Sequence, residues 1–169
     1  MTIVETPRLL LRKFRQEDAA SLHPIFSDAE TMAFYPAPFD WEKTEHWIEK
    51  NQNRYIHDGY GLWAMCLKET GEVIGDCGLI KQQVDDKEET EIGYHLHKKY
   101  WSQGLATEAA KACRDYGFYT LGLAKLISII DPEHSASIRV AERIGLTFEK
   151  QAFIFDRLHS IYSVYRNQH

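Results

Sequence analysis

Glu91-Ile92-Gly93-Tyr94-His95-Leu96-His97-Lys98-Lys99-Tyr100-Trp101-Ser102-Gln103-Gly104-Leu105-Ala106-Thr107-Glu108-Ala109-Ala110 reads as a strand, a short loop and a helix that begins near Gly104. A helix entered directly from a strand turn presents unpaired backbone N–H groups and the positive end of its dipole. Together these bind phosphate without needing a cationic side chain. The helix is predicted to run from Gly104 to Leu121, with Leu105, Ala109, Cys113 and Tyr116 on one stripe and Gly122 as its stop.

Upstream, Thr6 to Phe14 reads as a first strand, and Glu17-Asp18 opens a helix with Ala19, Leu22, Ile25 and Phe26 on one face. Pro36-Ala37-Pro38 breaks the chain. Asp40 then caps a helix running from Trp41 toward Ile56, with Trp41, Trp47, Ile48 and Tyr55 expected to point inward. Leu62 to Leu67 and Val73 to Ile80 read as strands joined by a hairpin turn at Glu69-Thr70-Gly71-Glu72. Val84 to Glu89 reads as a charged loop, and Glu88 to His97 as a further strand.

Downstream, Lys125 to Asp131 is a strand rich in β-branched residues, suited to a sheet centre. Ser135 to Ile144 is a helix stopped by Gly145. Phe148 to Phe155 and Ser160 to Tyr165 form a closing antiparallel pair, which could also carry a homodimer contact. The order places a strand–helix–strand crossover inside an otherwise antiparallel sheet. It predicts an α/β (α+β) fold in one domain, residues 1–169.

Composition narrows the function classes. The net charge is −5, from 20 Lys+Arg against 25 Asp+Glu, and the basic residues are scattered. A nucleic-acid partner is therefore not expected. A mildly acidic chain suits cationic substrates better. No apolar run reaches the roughly 20 residues of a membrane span, and the first residues lack a signal-peptide pattern. Cys66, Cys77 and Cys113 lie in apolar segments and read as buried thiols of a reducing compartment. A cytoplasmic protein with no membrane contact is expected. No Gly-x-x-x-x-Gly-Lys-Ser/Thr string is present, so a Walker-type nucleotide site is excluded.

Trp101-Ser102-Gln103-Gly104-Leu105-Ala106 resembles the acyl-CoA signature of the GNAT N-acetyltransferase superfamily, Gln/Arg-x-x-Gly-x-Gly/Ala between a strand and a helix. The opening Thr6-Pro-Arg-Leu-Leu-Leu-Arg12, Glu91-Ile-Gly-Tyr94 and Ser137-Ile-Arg-Val-Ala-Glu-Arg-Ile-Gly-Leu146 resemble its RimJ/RimL-type branch. The likeness extends, in order, over almost the whole chain. It implies the GNAT fold, a mixed and mostly antiparallel sheet of about seven strands. It also implies acetyl transfer from acetyl-CoA to a primary amine, on a peptide or protein N-terminus or a small molecule, by direct attack in a ternary complex.

Carried onto this chain, the resemblance gives the pyrophosphate to the backbone of Gln103, Gly104, Leu105, Ala106 and Thr107. Trp101 stands where Gln or Arg is usual. Ser102 stands where glycine is common, which is tolerable if that position keeps a negative φ. The pantetheine arm would pair with the strand edge at His95, Leu96 and His97, with the Leu96 N–H facing the thioester oxygen. His134 occupies the place of an asparagine that contacts pantetheine. The tyrosine that commonly protonates the thiolate is replaced by Ala141, and Ser137 is the substitute donor.

Glu91 has two readings: a general base for the amine, or an inward glutamate paired with Arg8 or Arg12. Ser137 likewise could serve the helix backbone instead. Phe34 and Tyr35, beside the proline break, are candidates for the acceptor pocket. His95 and His97 fall on the same side of a strand, but His-x-His alone is a weak pattern and no metal is expected. The missing tyrosine and altered asparagine leave one rival from another class, a non-catalytic acyl-CoA-binding or regulatory module.

Overall fold

The computed structural model describes residues 2–168. Its frame is an eight-stranded sheet: β1 (Thr2–Glu5), β2 (Leu9–Arg12), β3 (Leu62–Leu67), β4 (Val73–Val84), β5 (Lys87–Leu96), β6 (Lys125–Ile130), β7 (Thr147–Ile154) and β8 (Arg157–Tyr165). The spatial order is β1-β2-β3-β4-β5-β6-β8-β7. Every neighbouring pair is antiparallel except β5 with β6, which the crossover makes parallel. The four helices are α1 (Ala19–Phe26), α2 (Trp41–His57), α3 (Leu105–Asp115) and α4 (Ser135–Arg143).

Side-chain alternation along β4 divides the helices between the two faces of the sheet. On one face, Trp47 of α2 reaches Asp76, and Phe26 of α1 packs on His95, which pairs with Asp76 across the strands. On the other, Cys113 of α3 lies 3.6 Å from Cys77, and Trp63, paired with Cys77, meets Tyr116. Leu22, Ile48 and Ile74 are fully enclosed on the first side, and Leu9, Leu11 and Met65, in line with Trp63, on the second. The three cysteines are free and buried.

The prediction and the structure differ in four places. Thr2–Glu5 adds an eighth strand. The expected loop at Val84 to Glu89 is a tight hairpin, because Asp85 and Asp86 both take positive φ (48° and 63°). Two such residues twist a connection to match its strands, and aspartate tolerates that conformation. The helix from Leu105 is α-helical to Asp115, then widens into one π-type turn over Tyr116–Thr120 before Gly122, at φ 72°. Trp41 is exposed at the first residue of α2, with its ring edge against His23. Asp40 caps α2 as expected, its Oδ1 accepting from the Lys43 N–H at 2.8 Å.

Candidate active site

The site begins where the sheet opens. Among the described residues, β5 meets β6 in register only at Glu91 and Ile127. Beyond that pair the two strands part, leaving the end of β5 with a free edge. His97 donates its N–H to Ile74 O at 2.8 Å, so alternate residues of β5 turn their backbone toward β4. Tyr94 and Leu96 therefore turn theirs toward the opening. Two bonds agree with this. Ile92 O accepts from Ser128 Oγ at 3.3 Å, and Leu96 O accepts from Trp101 Nε1 at 2.8 Å. Trp101 thus fixes the Leu96 carbonyl, and the N–H of the same residue, on the same edge of the strand, faces the gap.

At the far end of the loop, Gly104 is the N-cap of α3, with φ 79°. Glycine reaches that left-handed conformation without strain, and it offers no side-chain cap. The N–H groups of Leu105, Ala106 and Thr107 consequently lack intrahelical partners. Ser102 has φ 62°, against the negative value expected of it, which explains why glycine suits this position. Arg8 lies over the same turn. Its Nη1 donates to Gln103 O at 2.9 Å, and its Nε pairs with Glu108 at 2.8 Å. A hollow of about 520 Å³ opens beside Gln103 and Leu105, with Arg8, Lys68 and Tyr100 in its wall.

Glu91 pairs with neither arginine proposed for it. Arg8 holds Glu108, and Arg12 holds Asp18 at 2.9 Å. Instead Glu91 accepts from Gln82 Nε2 at 3.1 Å and, weakly, from the Ile129 N–H at 3.4 Å across the gap. It keeps a partial opening to solvent, yet the surrounding protein pushes its carboxyl up to about 7. The Gln82 and Ile129 bonds and the charge of Arg54 offset only part of that effect. A carboxylate with this affinity for protons is suited to act as a base near neutral pH.

Two residues along from Gly93, on the same face as Glu91, His95 stands at the centre of a buried polar chain. Its Nδ1 is 2.9 Å from Asp76 Oδ1 and its Nε2 is 2.6 Å from the Tyr35 hydroxyl. Asp76 Oδ2 also accepts from Trp47 Nε1 at 3.1 Å. His97 takes no part in this chain, although it lies on the α1 side beside Pro24 and Ile25. Its Nδ1 accepts from the Lys99 N–H at 3.2 Å, because the strand ends at Leu96. Among the described residues no group of three His, Cys, Asp or Glu side chains could hold a metal ion.

Ser137 lies across the sheet from Glu91. Its Oγ accepts from the Tyr94 hydroxyl at 3.2 Å. Burial pushes that phenol up to about 12, so it stays protonated. Ala141 is buried in α4. His134 stacks on Phe34, with ring centroids 4.2 Å apart and planes at 12°. Burial lowers its proton affinity. The two proposed acceptor residues therefore contact different things: Phe34 meets the entry to α4, and Tyr35 meets His95.

Sequence reasoning missed Asp76, Gln82 and Tyr94, and misassigned Arg8. A buried aspartate between Gly75 and Cys77 in an apolar strand was the available signal for Asp76. Tyr94 stood inside the quoted Glu91-Ile-Gly-Tyr segment, but its reach to α4 depends on the crossover.

The comparisons agree with this geometry. Residues 8–147 match the family model described as an acetyltransferase (GNAT) domain. The Bacillus subtilis protein YkkB is 39% identical over 150 residues, covering 88% of this chain and 87% of its own. The Escherichia coli spermidine N(1)-acetyltransferase is 30% identical over 142 residues, covering 82% and 73%. The crystal structure of an acetyltransferase from Agrobacterium tumefaciens superposes with a TM-score of 0.84 at 30% identity, covering 98% of this chain and 95% of that one. Its sheet, its crossover and its match over residues 8–147 make this chain a member of the GNAT acetyltransferase family.

Proposed function

We propose that this acetyltransferase moves the acetyl group of acetyl-CoA onto a primary amine by direct attack within a ternary complex. The observation that carries the reading is the parting of β5 from β6 beyond Glu91 and Ile127. It leaves a slot through the sheet, with the Glu91 face on one side and the Ser137 face on the other. Pantetheine would lie along the free edge of β5 as an added strand, with Leu96 as its backbone partner, since His97 gives its N–H to Ile74 and His95 turns its carbonyl toward β4, against the contacts expected of both. The pyrophosphate would sit on the N–H groups of Gln103 to Thr107. His134 would flank the arm.

The acceptor then enters from the face of Glu91, Phe34 and Tyr35. Its nitrogen attacks the thioester carbon, and the Leu96 N–H stabilises the oxygen as charge develops there. Glu91 takes a proton from the nitrogen. Collapse expels the thiolate, which receives a proton from Ser137, whose Oγ is held by Tyr94. Cys66, Cys77 and Cys113 are buried thiols without an assigned step, so no acyl-enzyme is proposed.

A small cationic amine is the favoured acceptor class. The support is an aromatic and acidic entrance formed by Phe34, Tyr35 and Glu91, backed by Trp47 and the buried Asp76, together with the spermidine activity named for one relative. Thiol release from acetyl-CoA, followed across polyamines, aminoglycosides and peptides, tests this. Turnover should be fastest with a polyamine, and Ser137→Ala should lower kcat by roughly 10²-fold. Acetyl-CoA binding without turnover on any amine would favour the non-catalytic module instead.

A further inference from the structure

An ammonium that becomes an amide loses two protons from nitrogen, and sulfur takes back only one. Glu91 accounts for one of those losses. A second acceptor is needed wherever the substrate arrives charged.

We infer that Tyr35, His95 and Asp76 form a proton relay that neutralises the incoming ammonium before it attacks. This deepens, and rests on, the N-acetyltransferase reading above. The three groups come from three different elements: the loop before α2, strand β5 and strand β4. Their contacts are 2.6 Å from Tyr35 to His95 Nε2 and 2.9 Å from His95 Nδ1 to Asp76. Asp76 is fully buried, and its second oxygen is held by Trp47. A carboxylate can only accept, so Nδ1 carries the ring proton and Nε2 accepts from the tyrosine hydroxyl. The chain is thus poised to receive a proton at its outer end.

The outer end is the Tyr35 hydroxyl, close enough to Glu91 to feel its charge. Tyr35 keeps 38% of its surface exposed while its hydroxyl turns inward onto His95. His95 is 7% exposed and next to Leu96, whose N–H faces the slot. The titratable groups around the relay are Asp76 from β4, Glu91 on the same strand, Tyr35 from the loop and His134 at the start of α4. Arg54 of α2 acts on Glu91. The apolar sides are closed by Phe26, Phe39 and Trp47.

The step balances. One N–H bond of the ammonium breaks and its electron pair stays on nitrogen. The proton goes to the Tyr35 oxygen while the Tyr35 proton goes to His95 Nε2. The charge ends on an imidazolium paired with the Asp76 carboxylate. The neutral nitrogen then attacks and Glu91 takes the second proton; after the product leaves, the relay's proton passes from His95 Nε2 back to the Tyr35 oxygen, and that oxygen gives up a proton to water entering the emptied slot.

The test compares two nucleophiles in the thiol-release assay at neutral pH. One is an alkylamine, charged in solution; the other is a hydrazide, already neutral. Tyr35→Phe should lower kcat/KM for the alkylamine by about tenfold or more beyond whatever loss it causes with the hydrazide, which meets the same acceptor entrance. The alkylamine loss should narrow as pH rises and the free amine accumulates. His95→Gln should show the same split. Asp76→Asn removes a buried charge and could unfold the sheet, so Tyr35→Phe carries the decision. Equal losses with both nucleophiles, or no loss with either, would overturn the relay and leave the acetyltransferase reading intact. A wild type that releases no thiol with either nucleophile would overturn both.

Discussion

Glu91 is held by one amide, one distant backbone N–H and no arginine. Burial therefore governs it, and its carboxyl titrates near 7 rather than at the usual carboxylate value. The kinetic consequence is an acid limb in kcat/KM, centred near 7, that Glu91→Gln removes while lowering the plateau by roughly 10²-fold. The same shift affects stability, with its sign fixed by linkage. The folded state holds this proton more tightly than the unfolded chain. Its contribution is fully present below the unfolded value and is lost as pH rises through about 7. Glu91→Gln should therefore melt closer to wild type at pH 5 and above it at pH 8. A wild-type melting temperature whose fall across that window is unchanged in Glu91→Gln would show that other groups set it. Ser102 is the contrasting residue. Its φ of 62° is strain borne by the turn that delivers Gly104 to the helix start.

Among the elements, β4 and β5 carry the site between them, and their contact depends on glycine. A Cβ on Gly75 would stand 2.0 Å from His95 O, a backbone atom with no room to yield. Gly75→Ala should force the strands apart next to the Asp76–His95 bond. The expected loss is about 1–3 kcal/mol, read as a lower urea midpoint with an unchanged slope. An unaltered midpoint would mean the strands separate there at no cost. Much of this was legible beforehand. The strand, loop and helix from Glu91 to Ala110 follow from period and punctuation, because each signal is local. The hairpin at Asp85-Asp86 was not, since two aspartates at a turn look like any charged loop until both φ angles are known. The Tyr35–His95–Asp76 chain was hidden for a different reason. Its members are 60 and 19 residues apart in sequence, and only the sheet and the loop before α2 bring them together. Arg8 illustrates the same limit, paired with Glu108 some 100 residues away rather than with Glu91.

For the molecule as a whole, the proposed function means that a ligand in the slot between β5 and β6 would complete the sheet. An acyl-CoA lying along β5 would occupy backbone groups that no strand pairs, and would close the gap that the crossover leaves. Binding to the folded state alone stabilises it by about 2.7 kcal/mol at a hundredfold excess over Kd. For a chain of this length that corresponds to a rise in Tm of roughly 5–10 °C. Gly104→Val tests whether the cradle at the start of α3 provides that coupling. A β-branched residue is strained at φ 79°, and its side chain would lie against Arg8, whose Nη2 is 3.5 Å from the Cβ position, over the N–H groups of the cradle. The variant's own Tm should fall, so the informative quantity is the shift on adding acetyl-CoA. That shift should shrink to near zero in Gly104→Val and persist in Ser137→Ala, which leaves the cradle intact. Equal shifts in wild type and Gly104→Val would mean that the pyrophosphate binds elsewhere, with the hollow beside Arg8 and Lys68 as the next place to look.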